Sequence, residues 1–233
     1  MDKQNTLKKY KIDAAALKYI AIITMLIDHT AASLIGLVPF ITENYKIMRS
    51  IGRIAFPIFA FLLVEGFYKT KDRKKYTKNM MIFALISEIP YNYMLTGKFF
   101  DLNYQNIYFT LTLGLLMMYM LEIHKNFIFK IIIVVTTALI AEFIIKSDYG
   151  IFGIIPIAVF YSTYNEKDKI NNFLMYELAY AFEFNSLVHI ANILLAFFYN
   201  GKRGKQNKYF FYAFYPGHLL VLMLIRMYLT KGM

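Results

Sequence analysis

Nine apolar runs separated by short polar turns constrain this chain more than any other feature. A helix that crosses the hydrocarbon of a bilayer needs about 20 mostly apolar residues. Residues 14–38, 47–68, 76–95, 106–123, 127–146 and 208–229 meet that length or approach it, while 149–164, 171–184 and 185–200 are shorter. The expected fold class is all-α: a polytopic integral membrane helix bundle with eight or nine transmembrane segments. The sixth and seventh runs would also suit re-entrant or buried helices. Composition agrees, because 58% of residues are hydrophobic and only 18% are charged. A soluble sphere of this size would lack the polar surface to cover itself, and a chain this apolar does not stay disordered.

The basic residues set the expected orientation. Lys3, Lys8, Lys9 and Lys11 precede the first run, Lys69, Lys71, Arg73, Lys74, Lys75 and Lys78 follow the second, and Lys202, Arg203, Lys205 and Lys208 precede the last. The intervening turns carry few: Lys46 and Arg49, then Lys98, then Lys146. The positive-inside rule places the N-terminus and the lysine-rich loops in the cytoplasm. The expected organisation is a cytoplasmic segment, 1–13, and one membrane-embedded domain, 14–229, in the cell membrane. The first run reads as a retained helix: it is too long for a signal peptide, is interrupted by Asp28-His29, and no clear cleavage site follows. The net charge of +11 suggests nucleic acid, but charges clustered between apolar runs fit a lipid bilayer instead. With no cysteine, disulfides, thiolate catalysis and Cys-ligated metals are excluded. No metal-ligand spacing, phosphate loop or nucleophile elbow is present.

Ionisable side chains at membrane depth cost about 2.5–3.5 kcal/mol each on insertion scales, so they are functional candidates. The runs contain Asp28, His29, Arg53, Glu65, Glu88, Glu142, His189 and His218. Neighbours on a helix point about 100° apart, so Asp28 and His29 need not bond each other. His29 can act as a general base near neutral pH, with Asp28 orienting or balancing a group on another helix. A buried pair that only holds two helices together is the plainer reading. Arg53 precedes Pro57, which cannot donate to the Arg53 carbonyl and favours a kink; snorkelling to the interface is its alternative. Glu65 could simply pair with the lysine-rich loop beside it. Glu88, Tyr91 and Asn92 share one face beside Pro90, which suits a site. Lys208, Tyr212, Tyr215 and His218 form a stripe climbing from a basic loop to a mid-membrane histidine, as a path into the bundle would. His189, Asn192 and Tyr199 form a weaker stripe, read as interhelical hydrogen bonding. The turn Asn200 to Lys205 is compact and cationic; by composition it is first a topology signal.

Several of these segments resemble the TraX family: Leu26 to His29, Gly52 to Gly66, Ile86 to Tyr91, Asn106 to Gly114, Asp148-Tyr149-Gly150, Tyr199 to Gly204 and Phe214 to His218. They cover the chain from Ala16 to Ile225. Gly217 departs from the pattern, which would have a bulky apolar residue there. The resemblance implies a membrane acetyltransferase, distantly similar to the membrane acyltransferases that include the heparan-glucosaminide type, and the family is linked to pilin N-acetylation. It implies acetyl-CoA as acyl donor, no metal, and a peptide or glycan acceptor. Under it, His29, Asp28, Arg53 and His218 are the catalytic candidates. Lys202, Arg203, Lys208, Tyr212 and Tyr215 would bind the donor, and Glu88, Tyr91, Asn106 and Glu65 the acceptor. A proton-coupled small-solute transporter is the alternative, since intramembrane Asp, Glu and His also suit proton relays. A non-catalytic scaffold would leave the buried charges without a reason. Nothing in the sequence fixes the oligomeric state.

Overall fold

A computed structural model describes residues 11–165, 168–181 and 186–231, apart from the side chains of Ser186 and Lys208. Lys3, Lys8 and Lys9, and the junction of the seventh and eighth runs at 184–185, lie outside the described residues. The described chain is helical: α1 (Ala14–Leu34), α2 (Pro39–Glu43), α3 (Tyr45–Gly52), α4 (Ala55–Lys69), α5 (Arg73–Thr96) and α6 (Ile107–Ile123). There follow α7 (Phe127–Leu139), which continues as a π-helical segment Ile140–Ile145, and α8 (Gly150–Thr163). The last three are α9 (Lys169–Ala179), α10 (Ser186–Ile193), with a π-helical segment Leu194–Phe198, and α11 (Lys208–Thr230).

Local chemistry explains where helices start. Asp13, Asp72, Asn106, Asn126, Asp168 and Asn207 each accept a hydrogen bond from a backbone N–H two or three residues on. That satisfies donors the first turn leaves open. The second apolar run is broken: the helix stops at Gly52, Arg53 and Ile54 form a tight turn, and α4 restarts at Ala55. Pro57 then sits in the first turn of α4, where a missing N–H is harmless. The irregularity therefore falls at Arg53 and Ile54, ahead of Pro57, and both residues keep right-handed helical dihedrals, so residues 45–69 still continue as one span.

α4 is buried along nearly its whole length, from Ala55 and Phe56 to Glu65 and Phe67, as a helix apolar all round should be. It packs against α1, α6, α8 and α10, while α11 lies along α5 and α1. α7 is the opposite case, with Phe127, Ile128, Phe143 and Ile144 exposed; among apolar segments such a surface belongs in lipid. Ala14–Leu34, Tyr45–Lys69, Phe127–Ile145 and Tyr209–Thr230 are long and apolar enough to cross a membrane. Ile107–Ile123, Gly150–Thr163 and Leu187–Phe198 are apolar but shorter. Four helices thus qualify, against eight or nine expected crossings. α5 has the length but opens on Arg73, Lys74, Lys75 and Lys78 and carries Glu88.

The basic segments converge at one end of the bundle. The Ile12 N–H donates to the Phe198 carbonyl and the Ala14 N–H to that of Lys202, both over 2.9 Å. Lys69 Nζ donates to the Gly201 carbonyl over 2.9 Å. Arg226 ties the other end together, donating to the carbonyls of Ser33 (2.6 Å) and Met94 (3.0 Å).

Candidate functional site

One cavity of about 800 Å³ opens between α1, α4, α5, α6 and α11. On α1 its wall is Ala14, Lys18, Ile22, Met25 and His29, a single face by helical spacing. The fifteen steps from Ala14 to His29, at about 1.5 Å each, make that face roughly 20 Å long. At the basic end the wall includes Lys18, Lys69, Lys75, Arg203 and Gln206, with Glu65 and Asp72 among them. At the far end it includes Asp28, His29, Arg49, Arg53, Asp148 and Tyr149. Between them run Tyr76, Tyr91, Tyr108, Tyr212 and Tyr215 with Phe56, Phe59 and Leu63. The cavity therefore joins a cationic mouth to a charged pocket through an aromatic passage.

The far pocket is assembled from three segments. Asp28 does not pair with His29: its Oδ2 accepts from Arg49 Nη1 over 2.5 Å. Asp28 Oδ1 is buried without a protein partner. The contact requires Gly52, because a methyl group there would overlap the Asp28 carboxyl. Arg53 Nη1 donates to the Tyr149 hydroxyl over 3.1 Å, and the guanidinium lies 5.5 Å from the ring centre. Tyr149 also stacks on Phe56 at 4.1 Å. Its φ of 66° is rare for a bulky side chain. Such geometry persists where surrounding contacts impose it, and here they do. Thr110 bonds the Asp148 carbonyl, the Asp148 N–H donates to the Gln105 carbonyl over 2.8 Å, and Thr110 and Ser147 hydroxyls meet at 2.9 Å. Burial, reinforced by the Asp28 carboxylate, pushes the Asp148 carboxyl up to about 6, against the opposing pull of Arg53 and Arg49.

His29 meets His218 across the bundle, Nδ1 to Nε2, at 2.7 Å. His218 in turn bonds the Phe214 carbonyl through Nδ1 over 2.8 Å. His29 lines the cavity, whereas His218 is not among its lining residues. Thr24, which shares a face with Asp28, donates back to the carbonyls of Ile20 and Ala21.

The other sequence candidates divide between the cavity and its supports. Tyr91, Tyr212, Tyr215, Arg203 and Glu65 are on the wall. Glu65 accepts from Lys69 over 2.7 Å and from the Tyr199 hydroxyl. Glu88 and Asn106 come together away from the wall. Asn106 donates to Glu88 through its side chain (2.5 Å) and backbone (3.2 Å), and to the Ala84 carbonyl (2.8 Å). This clasp fastens α5 to the start of α6. Lys202 is exposed and off the wall, and the Lys208 side chain lies outside the described residues. His189 and Asn192 both bond Glu177 on α9, the interhelical role expected of them. Glu142 accepts from the Ile151 N–H over 3.1 Å and closes the turn into α8. Sequence reasoning gave no place in the site to Arg49, Asp148, Tyr149, Lys18 and Lys75. Arg49 stands one helical turn before Arg53, a spacing that read only as loop charge. Among the described residues no group of three or more His, Asp or Glu side chains is placed to hold a metal ion.

Residues 13–226 match the family model described as "TraX protein". A Dichelobacter nodosus protein named "Probable fimbrial assembly protein FimC, serogroup H1" is 30% identical over 246 residues, covering 93% of this chain and 96% of the relative. No solved structure matches.

Proposed function

The chain belongs to the TraX family, and on that premise we propose that it is a membrane-embedded acetyltransferase. It moves an acetyl group from cytosolic acetyl-CoA to an amine or hydroxyl acceptor at or beyond the membrane. The observation that carries this reading is a continuous cavity that joins a cationic mouth to a buried histidine. The domain is one membrane unit, 14–229, crossing eight or nine times with the basic end in the cytoplasm. A relative named for fimbrial assembly favours a fimbrial or pilin-like peptide as acceptor over a glycan.

Each part of the cavity then has a task. Lys18, Lys69, Lys75 and Arg203 hold the phosphates of the donor, Arg203 with the option of a bidentate grip. These replace Lys202 as the residues beside the nucleotide. Tyr212 and Tyr215 flank the acyl-bearing arm on its way to the far pocket. His29 takes the proton of the acceptor N–H or O–H as that atom bonds to the thioester carbon. The carbon–sulfur bond breaks, and His29 returns the proton to the departing thiolate, giving free CoA and the acetylated acceptor. Arg53 stabilises negative charge on the carbonyl oxygen. It also leaves the Tyr149 hydroxyl proton free to donate, since that oxygen is the acceptor in their bond. Asp28 holds Arg49 in place at the edge of the far pocket.

The test is transfer of radiolabelled acetyl from acetyl-CoA into membranes containing the chain. His29→Ala should lower incorporation by about 10²–10⁴-fold, the usual worth of a general base, while leaving the amount of protein unchanged. Equal labelling by wild type and His29→Ala would contradict the assignment.

A further inference from the structure

The pair of histidines has a direction. A backbone carbonyl can only accept a hydrogen bond. The 2.8 Å contact with the Phe214 carbonyl therefore places the His218 proton on Nδ1, and a neutral His218 has a lone pair on Nε2. That nitrogen lies 2.7 Å from His29 Nδ1. Two lone pairs do not approach so closely, so His29 Nδ1 carries a proton and donates it to His218. The rings lie 6° from parallel with centres 5.0 Å apart. With nitrogens at 2.7 Å, this is the disposition of two rings joined edge to edge in one plane, as a linear N–H···N bond requires. Phe214 and Tyr215 pack against the His218 ring and hold its plane.

We infer that His218 is a positioning residue that locks His29 in the tautomer with a proton on Nδ1 and a bare Nε2, the nitrogen that serves as base. The inference rests on the acetyltransferase reading only for what Nε2 does. Its chemical content is the fixed tautomer and a closed proton account. The chain His29–His218–Phe214 ends at a carbonyl, which cannot relay a proton onward. A proton arriving on His29 Nε2 has no exit through α11 and returns to the cavity. His29 is thus both base for the acceptor and acid for the leaving thiolate, and His218 never supplies the oxyanion donor, because its only N–H is already engaged.

The experiment is nitrogen-15 NMR of the full-length protein in detergent with labelled histidine. The chain has four histidines, so loss of one signal set in His29→Ala assigns His29. The expected spectrum of neutral His29 shows protonated Nδ1 and unprotonated Nε2. His218→Gln supplies the same polarity, a carbonyl facing His29 and an amide N–H for Phe214. It should keep that spectrum and retain transfer within about tenfold of wild type. His218→Leu removes the acceptor. It should give mixed His29 tautomers and, with CoA binding unchanged, a loss of transfer of about 10²-fold, within the usual worth of general-base catalysis. A wild-type His29 protonated on Nε2 would overturn the inference, as would an unchanged His29 tautomer in His218→Leu. If the tautomer is as stated but no acetyl transfer occurs, the acetyltransferase reading fails and the positioning role stands.

Discussion

His29 and Asp28 are adjacent in sequence and were legible as candidates from the cost of placing them in a membrane helix. Their partners were not legible. Arg49 is 21 residues from Asp28, and His218 is 189 residues from His29; neighbours on a helix diverge by about 100°, so each side chain meets a different element. Asp148 was hidden for another reason: it sits in a four-residue turn between two apolar segments and reads as ordinary turn chemistry. Its carboxyl is raised to about 6, above the ordinary aspartate value near 3.9. The folded protein therefore holds that proton more tightly than the unfolded chain. The associated stability is present below about pH 4 and is lost as the pH rises toward 6. Asp148→Asn should accordingly raise the melting temperature at pH 7.5 and flatten its dependence between pH 4 and 6. Each kcal/mol of stabilisation corresponds to about 2–4 °C for a chain of this length. A stabilised but less active variant is the pattern of a residue kept for function; a lower melting temperature at pH 7.5 would contradict this account.

At the scale of elements, the apolar runs correspond to helices among the described residues, the second run to both α3 and α4, because hydropathy and Asp or Asn caps both report local chemistry. The break at Arg53–Ile54 and the π-helical segments at Ile140–Ile145 and Leu194–Phe198 were not legible, since they follow from packing. Two glycines test that distinction. Gly52 faces Asp28 with no room for a side-chain carbon. Gly52→Ala should separate Asp28 from Arg49 and lower both transfer and melting temperature. Gly217 has nothing within 4 Å of where a methyl group would sit and lies inside α11. There alanine should stabilise by about 0.5–1 kcal/mol through helix propensity alone, with transfer unchanged. Thermal melts of the two variants decide the matter; equal and opposite results would reverse the packing assigned to these faces.

For the whole molecule, the basic loops beginning at Lys69 and Lys202, more than a hundred residues apart, meet the start of α1 at one end, where Lys69 touches Gly201 and Ala14 touches Lys202. Charge bias in the sequence anticipated that convergence but not the cavity leading away from it. Since the chain has no cysteine, single cysteines at positions 73 and 203 should resist an impermeant thiol reagent applied outside intact cells, while one at position 47 should react. Labelling of 73 or 203 would invert the topology.

The central claim is that the cavity binds a CoA thioester from its cationic mouth. The most direct measurement is the thermal unfolding of detergent-solubilised protein with acetyl-CoA, CoA or ATP. A ligand at a hundred times its Kd stabilises the folded state by about 2.7 kcal/mol, or roughly 5–10 °C here. Acetyl-CoA and CoA should each produce such a rise, ATP should not, and joint replacement of Lys75 and Arg203 by alanine should remove most of it. No rise with acetyl-CoA, or an equal rise with ATP, would contradict the account.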